Sequence, residues 1–383
     1  MFAFFLIFVI ALYAGMHAYI YRHITTLWVL PRQSRLLLIA LFMLLIALPF
    51  AGRTLDHNGH ITLARCVNRT AFLWMVWVFW FCMAGWAISL WNVLFHRFRL
   101  SPRAHSVISA MFVLVATCWG LVEASRPIHR EMMFIAPGLP SGSAPIKIVQ
   151  VSDVHLGTVR SERWNQSLVK SIRDLAPDLL LSTGDFIDSS VRNVGSLADQ
   201  WATLKAPLGK YAVLGNHEFY AGMTDSISLH NKAGFCLLRG CGVSINDALF
   251  LYGADDLTGR FLGSSDATSE ARLPLHGPRS QFTILLKHQP RIDPRSLDRF
   301  DLQLSGHTHG GQVFPFHLVT HLIYPLTTGI HDIGKRSKLY VSRGTGTWGP
   351  PLRVFAPPEI TVITLIPGSG TTPSIQPAVS GNK

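Results

Sequence analysis

A chain of 383 residues, 49% hydrophobic and only 15% charged, is too apolar for an ordinary soluble enzyme and long enough for more than one domain. The formal net charge is +12, yet residues 1–143 hold eleven arginines, no lysine and three acids, which is +8 of that total, all in loops between apolar runs. Charge placed this way argues against a nucleic-acid groove and for a membrane surface.

Four stretches near the N-terminus lack Asp, Glu, Lys and Arg: Phe2 to Tyr21, Leu36 to Gly52, Thr70 to His96 and Ala104 to Val122. A helix needs roughly 20 apolar residues to cross the hydrocarbon core, with about 17 as a lower limit. Each stretch qualifies, the second being the shortest and interrupted by Pro49. Four such runs joined by short Arg-bearing loops predict an all-α four-helix membrane segment over residues 1–126, with helices near 2–21, 36–52, 71–95 and 105–122. The first lacks a basic n-region and a small-x-small cleavage site, so it reads as a retained helix rather than a signal peptide. The positive-inside rule places the Arg22/Arg32/Arg35 and Arg97/Arg99/Arg103 loops in the cytoplasm, six arginines against five, which turns the C-terminal half outward. His17 reads as a packing or interfacial residue of the first span.

The Pro/Gly/Ser-rich "APGLPSGSAP" marks a linker, taken as residues 127–146. From 147 to 367 short apolar runs alternate with amphipathic stretches. "IKIVQVS", "DLLLSTG" and "YAVLG" predict strands separated by helices over Glu162 to Leu175 and Val194 to Leu204. "LFLYG", "FTILLK", "DLQLSG", "KLYVS" and "EITVITLI" predict further strands. Strand–helix–strand order implies a parallel or mixed sheet. Cys236 and Cys241 read as two buried thiols near a turn, since no second pair completes a zinc site. Residues 368–383, small and polar, are expected to be disordered.

Each of five predicted strands ends in a polar cluster. The first ends at Asp153 and His155, the second at Asp185 and Asp188, and the third at Asn216, His217 and Glu218; "FTILLKH" ends at His288, and "DLQLSGHTH" at His307 and His309. Ligands of open α/β sheets bind beyond the carboxyl ends of strands. Taken singly, DxH, GD or GNHE is an ordinary turn, and a lone histidine at a strand end is usually a hydrogen-bonded residue. Five strands delivering Asp, His and Asn to one edge is not what a plain core predicts. The mixed N/O set, without thiolates, suits divalent ions such as Mn, Zn or Fe. Seven donors, Asp153, His155, Asp185, Asn216, His288, His307 and His309, suffice for two ions if a carboxylate is shared. Two metals about 3.5–4 Å apart suit in-line displacement at phosphorus.

"SDVHLG", "GDFID", "GNHE", "KH" and "GHTHGGQ", in that order, resemble the calcineurin-like metallophosphoesterases, and most closely the bacterial membrane-associated type. The resemblance covers the whole segment after the linker and implies an α/β four-layer sandwich, two mixed β-sheets flanked by helices. It implies that Asp153, His155, Asp185 and His309 hold one ion and Asp185, Asn216, His288 and His307 a second. By the same pattern His217 protonates the leaving-group oxygen or steadies the phosphoryl group, Asp188 orients it, and Glu218 is structural. Ser189 and Ser190 stand where the protein phosphatases of this superfamily carry an arginine, so a phosphoprotein substrate is not expected. Arg160, Arg343 and Arg353 are candidates for a phosphate clamp, and equally surface or packing residues.

The implied function is a membrane-anchored dinuclear-metal hydrolase of a phosphate ester or pyrophosphate bond, with a lipid-linked substrate suggested by the membrane half. The alternative is a membrane sensor or transport-associated protein with a regulatory phosphoesterase-like domain; an intact ligand set counts against it. A nuclease would need a basic face beside the site, which the arginine distribution does not suggest.

Overall fold

The computed structural model describes residues 2–136, 139–140, 142–188, 194–262, 270, 281–368 and 374–376. The chain divides into two compact units, Met1–Val122 with Gly349–Pro351, and Glu123–Trp348 with Leu352–Lys383.

The first unit is helical: α1 (Phe2–Leu27), α2 (Arg32–His57), α3 (Ile61–Leu94) and α4 (Pro102–Glu123). Among the described residues α2, α3 and α4 are long and apolar enough to cross a membrane, and α1 is the 26-residue helix expected as a fourth. The helices exceed the sequence-based bounds. Helix α2 runs through Pro49 without ending, and α3 begins nine residues before Thr70, taking in Arg65 and Arg69. At 34 residues α3 is about 51 Å long, more than the roughly 30 Å hydrocarbon core, so charged turns can project beyond it. Polar side chains inside the bundle cross-link helices. Trp74 Nε1 donates to His17 Nε2 at 2.8 Å, His17 Nδ1 reaches its own helix at Tyr13 O, and Trp77 Nε1 donates to Thr117 Oγ1. His17 is a packing residue, as expected.

The second unit contains, in chain order, β1 (Ile128–Ala136), β2 (Ile146–Val151), α5 (Glu162–Asp174), β3 (Leu179–Ser182), α6 (Gly195–Ala202), β4 (Lys210–Ala212), α7 (Asn216–Ala221), α8 (Met223–Lys232), β5 (Cys236–Leu237), β6 (Cys241–Ile245), β7 (Leu249–Ala254) and α9 (Thr258–Phe261). Then follow β8 (Phe282–Lys287), β9 (Leu302–Ser305), a 3₁₀ turn at His309–Gly311, α10 (Phe316–Ile323), β10 (Gly329–Asp332), β11 (Lys338–Val341), β12 (Glu359–Pro367) and β13 (Ser374–Gln376). Among the described residues the strands form two mixed sheets, ordered β13-β1-β12-β2-β3-β4-β5 and β10-β11-β9-β8-β7-β6.

The core is packed because its strands are apolar on both faces. Ile148, Leu179, Leu181, Leu251, Ile284 and Leu304 fill the space between the sheets. The alternate residues Val149, Val151 and Leu180 pack outward against Leu168, Ile172, Trp201 and Leu229 of α5, α6 and α8. Helix α5 starts where Ser161 Oγ accepts from Trp164 N, and it buries Asn165, Leu168, Val169 and Ile172 at helical spacing. The architecture is therefore two mixed sheets flanked by helices, the class implied above.

Three local expectations are corrected. Within the stretch taken as linker, Ile128–Ala136 is strand β1, running parallel to β12 from Ile128↔Glu359 to Ala136↔Pro367. Within the stretch taken as a disordered tail, Ser374–Gln376 is β13, antiparallel to β1. Cys236 and Cys241 are exposed free thiols, on strands of different sheets.

The topology explains why ligands gather. Strands β2, β3 and β4 are mutually parallel, as are β7, β8, β9 and β11, so their carboxyl ends share an edge within each sheet. Between sheets, Gln150 Nε2 of β2 donates to Ser305 O of β9, and the loops after β2 and β11 are tied by Thr345 N donating to Ser152 O.

Candidate metal centre

The loops that leave these strands are held in unusual backbone conformations. Asp153 (φ 53°), His155 (φ 50°), Asp185 (φ 50°), His307 (φ 74°) and His309 (φ 50°) all lie in the left-handed region. Side chains seldom adopt it, and each instance costs on the order of 1 kcal/mol or more, so such residues cluster where function requires them. Here the strain turns side chains inward from chain that leaves the strand. Gly306 permits the closest approach, since a Cβ there would lie 1.9 Å from Ser152 Oγ and 2.2 Å from Asp153 Oδ2.

The donors, all but the half-buried His307 being buried, form two groups that meet at Asp185. In one, His155 Nε2 and His309 Nε2 are 3.1 Å apart, and His309 Nε2 is 3.4 Å from Asp153 Oδ1. In the other, His288 Nε2 is 3.1 Å from both His307 Nδ1 and Asp185 Oδ2. Asp185 Oδ2 also lies 3.9 Å from His155 Nε2, while Asp185 Oδ1 accepts the backbone N–H of His217 at 2.9 Å. Asn216 Oδ1 is buried and has no hydrogen-bond partner among the described residues. The structure thus brings six of the donors named from the sequence within a few ångströms of one another, and the seventh, Asn216, adjoins His217, whose backbone N–H binds Asp185. The sets Asp153/His155/His309 and Asp185/His288/His307 each place their ligand atoms close enough to share one ion.

The fit to metal rests on these lone pairs. His288 Nδ1 faces Thr183 O at 2.9 Å, which can only accept, so Nδ1 carries the proton and Nε2 is free to ligate. Tyr324 does the same for His307: its hydroxyl donates to Gln289 Oε1 and accepts from His307 Nε2 at 2.9 Å, leaving Nδ1 to ligate. Burial and the neighbouring His288 push His307 down to about 4, and burial with His155 and Arg353 pushes His309 down, so both rings are neutral near pH 7. Asp185 is driven the other way. Burial raises it, but the imidazoles of His288, His217 and His155 outweigh that and hold it well below the usual carboxylate range. Facing ring nitrogens, an ionised carboxylate and an orphaned amide oxygen are a donor set for divalent cations.

His217 is different. Its Nδ1 is 3.0 Å from Asp188 Oδ1, and burial, which would lower it, is outweighed by Asp185 and Asp188, raising it to about 9. His288, which also touches Asp185, is raised well above the usual histidine range in the same way, so of these rings only His307 and His309 are pushed toward the neutral form. Asp188 Oδ1 is also 3.5 Å from His155 Nδ1. Ser189 and Ser190 lie outside the described residues.

Glu218 is structural, and in a specific way. Fully buried, it accepts four backbone N–H groups: Phe186 (2.8 Å) and Ile187 (3.1 Å) on Oε1, Asp185 (3.0 Å) and Gly215 (2.6 Å) on Oε2. It pins the Asp185 loop to the turn that carries Asn216 and His217.

Sequence reasoning missed Tyr324, Gln289 and Gln312. Gln312 exchanges hydrogen bonds with the Trp348 backbone, fixing the Trp348 ring 6.0 Å from that of His217. Arg353 is not an exposed clamp. It is fully buried, donating to the carbonyls of Gly346, Ala356 and His309 and lying 3.1 Å from His309 Nδ1, so it fastens the histidine loop to the segment before β12. Gly311 serves packing rather than the donors, because a Cβ there would meet the backbone of His317 at 2.3 Å.

The sequence profile of the calcineurin-like phosphoesterases matches residues 146–311. An uncharacterized metallophosphoesterase of Aquifex aeolicus is 41% identical over 59% of this chain and 87% of its own. One from Campylobacter jejuni is 34% identical over 61% of this chain and 63% of its own. A "transmembrane protein with metallophosphoesterase domain" of Danio rerio is 30% identical over 68% and 62%. The chain thus spans somewhat under two thirds of the latter two.

Proposed function

The chain belongs to the calcineurin-like phosphoesterases, metal-dependent hydrolases of phosphoric ester bonds, and from that premise we propose that it is a multi-pass membrane enzyme whose second unit works with two divalent ions. Asp153, His155, Asp185 and His309 hold one ion, and Asp185, Asn216, His288 and His307 the other. The observation that carries this reading is Asp185, whose Oδ2 lies between two facing pairs of ring nitrogens. Manganese, zinc and iron match the mixed N/O donors. When bound, such a pair lowers the pKa of a water and takes up charge on the phosphoryl oxygens.

The protein supplies the rest. Glu218 and the strained turns keep Asp185 aimed, and Tyr324 and Thr183 fix the tautomers of His307 and His288. His217, protonated and steadied by Asp188, donates its proton to the departing oxygen and is regenerated from solvent. The bond cleaved is a phosphate ester or pyrophosphate, with a lipid-linked substrate favoured by the membrane helices of the same chain. The arginine distribution supports a catalytic unit on the outer side, which protease access in intact cells tests.

The test of chemistry is turnover of bis-p-nitrophenyl phosphate by the full chain with added manganese. Asp185→Ala should reduce kcat by about 10³-fold or more, since it strips a ligand from both ions. Undiminished turnover in that variant would remove the site.

A further inference from the structure

Between Leu302 and His331 the chain runs for 30 residues without Asp, Glu, Lys or Arg. Part of that run is β9 and the histidine loop, which are buried. Helix α10 is not. None of its eight residues is buried, and Leu322 is 83% exposed, Ile323 61% and Leu318 60%, with Phe316 and Val319 also exposed. A water-facing helix of composition FHLVTHLI gains nothing from folding outward. Monomeric soluble domains seldom keep so apolar an element uncovered, and when they do it marks an interaction site.

The helix is also fastened at both ends to the metal centre. At its start, Gly311 packs on the backbone of His317, two residues after His309. At its end, Tyr324 hydrogen-bonds His307. The exposed Arg291 stacks over the ring of Tyr324, the residue that caps the helix, at 5.4 Å, setting a cation at the end of the apolar helix. An apolar face with an arginine at its end matches the boundary between acyl chains and anionic headgroups. The chain itself supplies the occupant: only Ala124–Pro127 separate α4 from β1, a connector spanning at most about 14 Å when extended, so a bilayer is the apolar phase tethered to this unit.

We propose that α10 is an interfacial helix that docks Leu318, Leu322 and Ile323 into the bilayer surface, so that the metal centre it borders takes phosphoesters presented from the headgroup layer. This rests on the phosphoesterase reading above and adds the surface that selects the substrate.

The experiment is photolabelling of the full chain in phosphatidylcholine/phosphatidylglycerol proteoliposomes with a lipid-phase diazirine and, separately, a water-soluble one. The peptide carrying Phe316–Ile323 should take label from the lipid phase, as α2 does. The double variants Leu318→Glu/Leu322→Glu and Leu318→Ser/Leu322→Ser should lose that label while keeping parental turnover of bis-p-nitrophenyl phosphate, which shows that the fold survives. Labelling of this peptide from water alone would overturn the proposal. So would labelling from neither phase, which would mean that protein covers the helix. Asp185→Ala separates the two readings: it should abolish turnover and leave the lipid-phase label of α10 unchanged.

Discussion

Replacing Glu218 by Gln keeps the size of the side chain and removes its charge. In the native chain each carboxylate oxygen accepts two amide protons, from Phe186 and Ile187 and from Asp185 and Gly215. A buried carboxamide can serve only one of those pairs, because its NH₂ must face the other two N–H donors. Two hydrogen bonds to a charged acceptor are lost, at about 1.5–3 kcal/mol each, or about 3–6 kcal/mol in total. A domain is stable by only about 5–15 kcal/mol. For a unit of this size the melting temperature of Glu218→Gln should fall by roughly 6–24 °C, read by differential scanning of the full chain in detergent. Because the Asp185 amide is one of the four, turnover measured below the new transition should fall as well. A melting temperature and turnover equal to the parent's would refute the account of Glu218 as the pin between the two loops.

Tyr324→Phe removes the hydroxyl that sets the His307 tautomer; metal affinity, measured by competition with a chelator, should weaken about 10–100-fold with little change in melting temperature. Gly306→Ala forces a Cβ into Ser152 Oγ and Asp153 Oδ2, so a variant that still folds should bind metal poorly, which the same titration reads. Asp188→Asn keeps an oxygen near His217 Nδ1 but deletes the charge that holds the imidazolium. Turnover should drop about 10²-fold or more, and less for substrates with good leaving groups such as p-nitrophenolate, if His217 is the acid.

The sequence revealed the site better than the frame around it. Strands β2, β3, β8 and β9 are short apolar runs closed by turn residues, and each delivers donors immediately after its end, so local pattern and chemistry coincide. Strand β1 was hidden because His129, Arg130 and Glu131 sit on its exposed half and a Pro/Gly/Ser stretch follows; its pairing with β12 spans most of the second unit and leaves no local signal. The same holds for side chains that act from afar. Tyr324 lies 17 residues beyond His307, and Arg353 lies 44 beyond His309, in segments whose texture is that of ordinary loop. The predicted second helix was short because Arg35 and Arg53 bounded its uncharged run, although both lie inside α2. In a bundle of apolar helices neighbouring segments can satisfy the backbone that Pro49 frees, and α2 continues to His57. Helix α10 was invisible as a surface, since an apolar run of eight residues reads equally well as core.

The central claim is that Asp185 is shared by two ions. The most direct measurement is the metal content of the purified full chain after loading with manganese and removal of excess, beside that of Asp185→Ala. The claim predicts two ions per parent chain and the loss of both, or of all but weakly held metal, in the variant. One ion or none in the parent, or two tightly held ions in Asp185→Ala, would contradict it.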